Sequence, residues 1–173
     1  IEIGLERAAF LHIADIWEHR QNGNGGDQKP IERILHEGQS LMVQVIKDPI
    51  GTKGARLSTQ VSLAGRLLVY LPQDSHIGIS QRIGDEAERE TLRERLQHLL
   101  PEGMTGGFII RTMAETASER EMQSDIEYLT KLWTDLTGRS HAAPPASLLY
   151  QDLNLAQRVL RDLVGEHTQS IRI

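Results

Sequence analysis

The sequence predicts an α+β protein in which a small, incomplete β-barrel of the OB type precedes a unit of alternating strands and helices. Three observations carry this prediction. The first third of the 173-residue chain consists of short strand-like segments separated by Gly- and Pro-rich turns. Two later stretches repeat apolar residues at helical spacing. Only 4% of the residues are aromatic, so Leu, Ile, Val and Ala must build the core.

Residues 1–66 read as the barrel, with about five short strands, one short helix and one long loop. Pro30 favours a helix start, because proline is tolerated at the first helical position, and Gly38 favours its end. The turn at 48–54 is rich in Pro and Gly. The predicted elements are strands at Ile1–Ile3, Ala9–Ile13, Leu41–Lys47 and Ala55–Val61, a Gly/Asn-rich loop at Gln21–Lys29 and a helix at Ile31–Glu37.

Residues 67–145 read as a small β-α-β-α unit. Ser118 and Glu121 have the spacing of a capping box at the start of the longer helix, and Gly138 is the expected end of that helix. A polar, Pro-rich stretch at 138–146 is typical of a linker. The predicted elements are strands at Leu67–Leu71, His76–Ile83 and Phe108–Met113, and helices at 85–100 and 117–138.

A third segment, residues 146–173, begins with a possible strand at Leu148–Tyr150 and a helix at Leu153–Val164. The chain opens on Ile1 rather than Met and stops in an alternating run, which we interpret as a piece of a longer protein cut at strand boundaries. We see no signal peptide and no apolar run of the roughly 18 residues that a membrane helix needs.

The charge is unevenly distributed. The chain carries 19 Lys+Arg and 24 Asp+Glu, a net charge of −5 that by itself argues against a nucleic-acid binder. Residues 85–102 and 115–135 contribute −3 and −4, whereas the hairpin 47–66 is locally +3. The acidic excess therefore belongs to two helices, and a basic hairpin remains for an anionic partner.

The sequence contains no motif typical of a self-contained active site or a metal site. The absence of Cys excludes a disulfide framework and a Cys-ligated zinc within these residues. The seven His are dispersed and include no HExxH pair, so we predict no metal site in this chain. Gly51–Gly54 resembles the end of a phosphate-binding loop but lacks the residue spacing that defines that motif.

Two local features are candidates for ligand binding. Phe10, beside Ala8 and Ala9, could stack on a base, although a core position is the more common role of such a residue. Arg111 and Thr112, at the end of an apolar strand, could converge on an anion, although Arg111 could instead pair with Glu115.

A resemblance to a known family is carried in order by the segments Ile3–His12, Val43–Pro49, Gly51–Leu57, Leu63–Arg66, Leu68–Pro72, Gly78–Ile83, Gly107–Thr112 and Ala156–Asp162. Along nearly its whole length the chain resembles the ribonuclease E/G family, and it looks closer to the ribonuclease G branch. The resemblance implies that the parent protein is an endoribonuclease of RNA processing and mRNA decay, which acts on single-stranded RNA near a 5′-monophosphate end. It also implies an OB-fold RNA-binding domain at 1–66, a 5′-sensor subdomain at 67–145 and the start of an RNase H-like subdomain at 146–173.

The resemblance assigns roles to six residues. It implies that Arg111 and Thr112 hold the 5′ phosphate, that Gly65 and Val69 line that pocket, and that Phe10 and Lys53 contact RNA. The family's Mg²⁺-binding aspartates and the Cys pair that shares Zn between subunits lie beyond this chain. We therefore expect the chain alone to be catalytically inactive, and the full-length parent to be a cytoplasmic homo-oligomer.

Two other interpretations stay open. The chain could be a stand-alone RNA-binding barrel with no enzymatic parent. It could also be a protein-interaction module in which Arg111 has only a structural role.

Overall fold

A computed structural model describes residues 1–17, 30–165 and 168–172. In these ranges the chain forms seven short strands and three α helices, which confirms a mixed α and β architecture. The elements are β1 (Phe10–Leu11), β2 (Gln44–Lys47), β3 (Arg56–Ser58), β4 (Leu63–Ala64), β5 (Leu68–Leu71), β6 (Ile77–Ile79), α1 (Glu86–Leu99), β7 (Gly107–Ile110), α2 (Glu119–Ala142) and α3 (Leu155–Leu163).

The first sheet has the strand order β1-β3-β2, with β1 parallel and β2 antiparallel to β3. A register shift between Val45 and Lys47 marks a β-bulge, which increases the local twist of β2. The sheet covers a small core of Ala9, Leu11, Ile16, Ala55 and Leu57. Three paired strands agree with the β-rich character predicted for this region, and the incomplete OB-type barrel stays a prediction.

Several elements near the N-terminus are shorter than the sequence predicted. Ile1–Ile3 is not a strand, although Ile1 exchanges two hydrogen bonds of 2.7 and 2.8 Å with Ala9. The helix expected at 31–37 is a single 3-10 turn at Ile31–Arg33. Gly38, which was expected to end that helix, adopts a left-handed φ of +77° in a separate turn five residues after Arg33. The predicted loop at 21–29 lies outside the described residues.

The second sheet has the order β4-β5-β7-β6, with only β6 and β7 parallel among its pairs. Leu68, Phe108 and Ile110 are fully buried on the face that α1 and α2 cover. β4 belongs to this sheet, and Leu63 is buried in its core. The chain therefore crosses from one sheet to the other just before β4.

The long helices follow the predicted pattern closely. Asp85 caps α1, and Ser118 with Glu121 forms the predicted capping box of α2. Gly138 does not end α2, which continues to Ala142, two residues before Pro144. Tertiary packing and the Pro pair thus set this helix end rather than the glycine.

The region that follows α2 is less regular than predicted. No strand forms at 148–150, and α3 is shorter than the predicted helix by two residues at its start and one at its end. Asn154 and Gln157 form a second capping box at the start of α3. None of the helices in the described ranges is both long and apolar enough to span a lipid bilayer.

Side-chain hydrogen bonds connect the two sheets next to β4. The amide of Gln44 donates to the Ser62 carbonyl at 2.9 Å and accepts from the Ser62 backbone N–H at 2.8 Å. These reciprocal bonds fix the start of the segment that leads into the turn between β4 and β5. That turn carries two of the predicted site residues.

Candidate functional site

A buried carboxylate on α2 fixes the turn at residues 64–68 through hydrogen bonds. Asp125 is only 9% exposed, and its two oxygens accept three backbone hydrogen bonds. The donors are the N–H groups of Arg66, Leu67 and Leu68, at 3.1, 2.9 and 2.8 Å. Three charge-assisted bonds to successive N–H groups fix the turn, and they leave its carbonyls free to point the other way.

Gly65 packs directly against this carboxylate. A Cβ atom at position 65 would lie 2.4 Å from Oδ2 of Asp125, well inside contact distance. The turn therefore approaches α2 as closely as it does because residue 65 lacks a side chain. This close approach keeps the Gly65 carbonyl beside the end of β7.

Arg111 is the first residue after β7, and it donates hydrogen bonds to the carbonyls of this turn. Its Nη1 donates to the Gly65 carbonyl and, at 3.0 Å, to the Arg66 carbonyl. Its backbone N–H donates to the Leu67 carbonyl at 2.9 Å. Both the backbone and the guanidinium of Arg111 are thus anchored on the 64–68 turn, and 29% of the side chain stays accessible. The structure thus brings together Arg111 and Gly65, two of the predicted site residues.

Thr112 and Val69 flank this arginine. Thr112 is half-buried and opens a 3-10 turn at Thr112–Ala114, and its hydroxyl makes no hydrogen bond to the described part of the chain. Val69 is half-buried on β5, opposite Ala64 of β4 and Ile109 of β7. A hydroxyl and a planar guanidinium at adjacent positions form a donor set suited to an oxyanion.

The carboxylate that faces Arg111 is Asp162 of α3, not the neighbouring Glu115. One oxygen of Asp162 lies 3.7 Å from Nη1 of Arg111. Asp162 is bound more closely to Arg161, through Nε–Oδ1 and Nη2–Oδ2 contacts of 2.8 and 3.2 Å. The hydrogen bonds from Arg161, followed by the charges of Arg111 and Arg66, lower the pKa of Asp162, against the opposing effect of burial.

Arg161 also attaches α3 to the 64–68 turn. Its Nη1 donates to the Ala64 carbonyl at 3.1 Å. The hydrogen bonds to Asp162 raise the pKa of Arg161 above its ordinary value, so the guanidinium stays charged. Sequence reasoning did not identify Arg161 or Asp162 as part of this site, because they lie about 50 residues after Arg111 and no periodicity relates them to it.

Arg66 adds a third guanidinium to this region. The sequence analysis placed it only at the end of the locally basic hairpin 47–66. Its Nη1 lies 3.5 Å from a carboxylate oxygen of Glu121, while its Nε is buried without a hydrogen-bond partner among the described residues. We call Arg66, Arg111, Arg161, Glu121, Asp125 and Asp162 the arginine cluster.

A second candidate site is an open groove on the first sheet, with a volume of about 720 Å³. Phe10 and Lys53 both line it, so the structure brings these two predicted residues together. Phe10 is 59% exposed, which contradicts a core role and leaves the ring free to stack. The lining residues are Phe10, His12, Lys47, Asp48, Ile50, Lys53, Gly54 and Arg56.

Basic side chains line the groove, and they differ in whether a carboxylate is already paired with them. Lys47 and Lys53 are exposed. Arg56 is paired with Asp15 at 2.8 Å and is held against the sheet. His12 is a lining residue that sequence reasoning missed, and its ring centroid lies 6.1 Å from that of Phe10. Its position two residues after Phe10, on the same face of an extended segment, was the signal available in the sequence.

A metal site does not emerge from the described ranges. They contain no group of three or more His, Asp or Glu placed to hold a metal ion together. The two candidate sites present guanidinium, ammonium, hydroxyl and aromatic groups.

Comparison with known proteins places the chain in a family. A model of the ribonuclease E/G family matches residues 62–173. The whole chain aligns with the protein named ribonuclease G of Haemophilus influenzae at 45% identity and with that of Escherichia coli K12 at 46%, covering 36% of each. Ribonuclease E of Nostoc sp. is 35% identical over 96% of the chain, which spans 23% of that protein. The chain, which is about a third as long as its ribonuclease G relatives, belongs to the ribonuclease E/G family.

Proposed function

We propose that this chain is the RNA-binding and 5′-monophosphate-sensing part of an endoribonuclease that acts in RNA processing and mRNA decay. The proposed ligand is single-stranded RNA with a 5′-monophosphate end. In this proposal Arg111 and Thr112 bind the terminal phosphate and Gly65 and Val69 line its pocket. Phe10 stacks on a base of the same RNA, and Lys53 contacts its backbone.

The observation that carries the proposal is the anchoring of Arg111. Two carbonyls fix one edge of its guanidinium, and the turn that supplies them is fixed in turn by Asp125. An arginine held in this way loses little conformational entropy when it binds a ligand. A phosphate monoester offers several oxygens for the remaining N–H donors and for the Thr112 hydroxyl.

The groove supports binding of a single strand rather than a duplex. An exposed aromatic ring beside two exposed lysines provides a stacking surface and backbone contacts, the combination typical of proteins that bind unpaired nucleotides. The groove would supply most of the affinity, and the arginine cluster would distinguish one chemical form of the 5′ end from another.

The test compares two forms of one short A/U-rich oligonucleotide, one with a 5′-monophosphate and one with a 5′-hydroxyl. We expect the protein to bind the monophosphate more tightly and Arg111→Ala to lose this preference. Fluorescence anisotropy at fixed salt measures both affinities. Arg93→Ala, which removes an arginine paired with Glu90 on α1, is the matched control and should keep the preference. Equal binding of both forms by the unmodified protein would refute the sensing role.

Catalysis is proposed to depend on residues outside this chain. Family membership and the names of the relatives support an endoribonuclease parent, in which Mg²⁺ would activate water and Zn would link subunits of a homo-oligomer. A cytoplasmic location is part of the same proposal. We expect the 173-residue chain to bind a labelled single-stranded RNA and leave it intact in the presence of Mg²⁺. Gel analysis of the RNA checks this, and magnesium-dependent cleavage products would contradict it.

A further inference from the structure

The guanidinium proposed to bind the 5′ phosphate already faces a negative charge within the chain. Asp162 of α3 places one oxygen 3.7 Å from Nη1 of Arg111. Both side chains are partly accessible, 29% for Arg111 and 27% for Asp162, so a ligand can reach both of them. The function proposed above gives this carboxylate no role.

The position of Arg111 does not depend on Asp162. Nη1 of Arg111 is held by the Gly65 and Arg66 carbonyls, and its backbone N–H by Leu67. Asp162, in turn, is held by Arg161 through two shorter contacts. Each side chain is therefore fixed by its own partners, and what Asp162 adds at Arg111 is charge rather than orientation.

This charge is present at neutral pH. The hydrogen bonds from Arg161 and the nearby guanidinium groups lower the pKa of Asp162, which keeps its carboxyl group ionised. A phosphate bound by Arg111 would carry nearly two negative charges and would lie close to this carboxylate. The same carboxylate that lies against Arg111 in the free protein would thus repel the bound phosphate.

The arginine cluster is balanced in charge as a whole. It contains three guanidinium groups and three carboxylates, those of Glu121, Asp125 and Asp162. Asp125 is committed to the backbone of the turn, and Glu121 to the cap of α2. Asp162 is the carboxylate of the cluster that lies close to Arg111 without fixing the position of its side chain.

We propose that Asp162 is a specificity-determining residue that restrains the affinity of Arg111 for the 5′ phosphate. This inference rests on the proposed sensing function. Because repulsion grows with the charge of the ligand, Asp162 weakens the binding of a 5′-monophosphate end more than that of a 5′-hydroxyl end. Loss of its charge therefore increases the preference for the monophosphate.

The test is a set of paired titrations of the full chain with the 5′-monophosphate and 5′-hydroxyl forms of one oligonucleotide. We expect Asp162→Asn to increase the ratio of the two affinities by roughly three- to tenfold at low salt, and the gain to shrink as salt is added. Asp162→Ser, which removes the charge without placing an amide beside Arg161, should give a similar gain. Thermal unfolding midpoints verify that both variants are folded.

Asp152→Asn is the matched control, because it makes the same change of charge just before α3. The Asp152 carboxylate bonds to the Leu153 N–H rather than to Arg111, so the ratio should stay at the unmodified value. A preference in the unmodified protein without a gain in either Asp162 variant would overturn this inference alone. No preference in any of the proteins would overturn the sensing function and the inference with it.

Discussion

At the scale of single residues, the arginine cluster shows how one buried carboxylate prepares a binding site it does not itself form. Asp125 binds three consecutive backbone N–H groups, and the turn it holds supplies the carbonyls that anchor Arg111. Asp125 lies 14 residues after Arg111 and 60 after Gly65 in the sequence. It is a positioning residue whose effect on a ligand passes through backbone atoms.

Replacement of Asp125 by Ala should impair both the fold and the site. Three N–H groups, two of them buried, would lose their acceptor, and we expect the free energy of unfolding to fall by about 3 kcal/mol. The preference for a 5′-monophosphate oligonucleotide should fall as well, because the turn would no longer fix Arg111. Urea denaturation measures the first effect and paired titrations the second. Asp135→Ala, an exposed change on the same helix, should leave both unchanged.

The sequence indicated this chemistry only in part. Arg111 and Thr112 stood out because polar groups followed an apolar strand, and the structure does place them at the end of β7. Asp125 and Asp162 did not stand out, because acidic residues on helices are usually solvated. Their roles arise from tertiary contacts that bring α2 and α3 to one turn, and no local pattern encodes such contacts.

At the scale of elements, helices were easier to predict than strands. The apolar spacing of α2 predicts one buried stripe, made of Met122, Ile126, Leu129, Trp133 and Leu136. Four of these residues are buried and Trp133 is half-buried. The strands have only two to four residues, and their limits depend on pairing partners that the sequence does not name. Gly138 was wrongly expected to end α2, since a glycine inside a helix lowers its stability without ending it.

The capping box of α2 gives a prediction with a pH dependence. The Ser118 backbone N–H donates to Glu121 at 2.8 Å and, together with the Ser118 hydroxyl, lowers the Glu121 pKa. A lowered pKa means that Glu121 stabilises the fold above its ordinary pKa and loses this contribution as the pH falls through the lowered value.

Replacement of Ser118 by Ala should destabilise the protein by about 1 kcal/mol at neutral pH. It should also move the pKa of Glu121 back toward its ordinary value, because the hydroxyl donor is lost. Thermal unfolding at neutral pH and an NMR titration of the Glu121 carboxyl group check the two effects. Thr91→Ala, which removes a hydroxyl inside α1 rather than at a cap, provides the comparison. An unchanged Glu121 pKa would contradict the assigned cause.

At the scale of the whole molecule, net charge is a poor guide to the partner. The chain carries −5 overall, but its acidic residues are concentrated on and around α1 and α2, whereas the groove presents Lys47 and Lys53. Charges farther apart than about 10 Å are screened at ordinary salt, so an anionic ligand at the groove would respond to the nearby basic residues rather than to the net charge.

Replacement of Lys53 by Ala should weaken binding of a single-stranded oligonucleotide and reduce the slope of log affinity against log salt by about one unit or less. The physical reason is that one fewer counterion is released on binding. Titrations at several salt concentrations give the slope. Lys131→Ala, on the exposed side of α2, should leave it as in the unmodified protein. An unaltered slope for Lys53→Ala would exclude this lysine from the contact.

The anchoring of Arg111 has a consequence for the order in which the protein becomes competent during synthesis. The residues that line the groove have all been made by residue 56, and domains generally fold from the N-terminus as the chain emerges. The turn that holds Arg111 is fixed by Asp125. The carboxylate that faces Arg111 is added only when Asp162 is synthesised. Under the proposed function, a nascent chain would acquire the RNA-contacting groove before the residues that distinguish a 5′-monophosphate end.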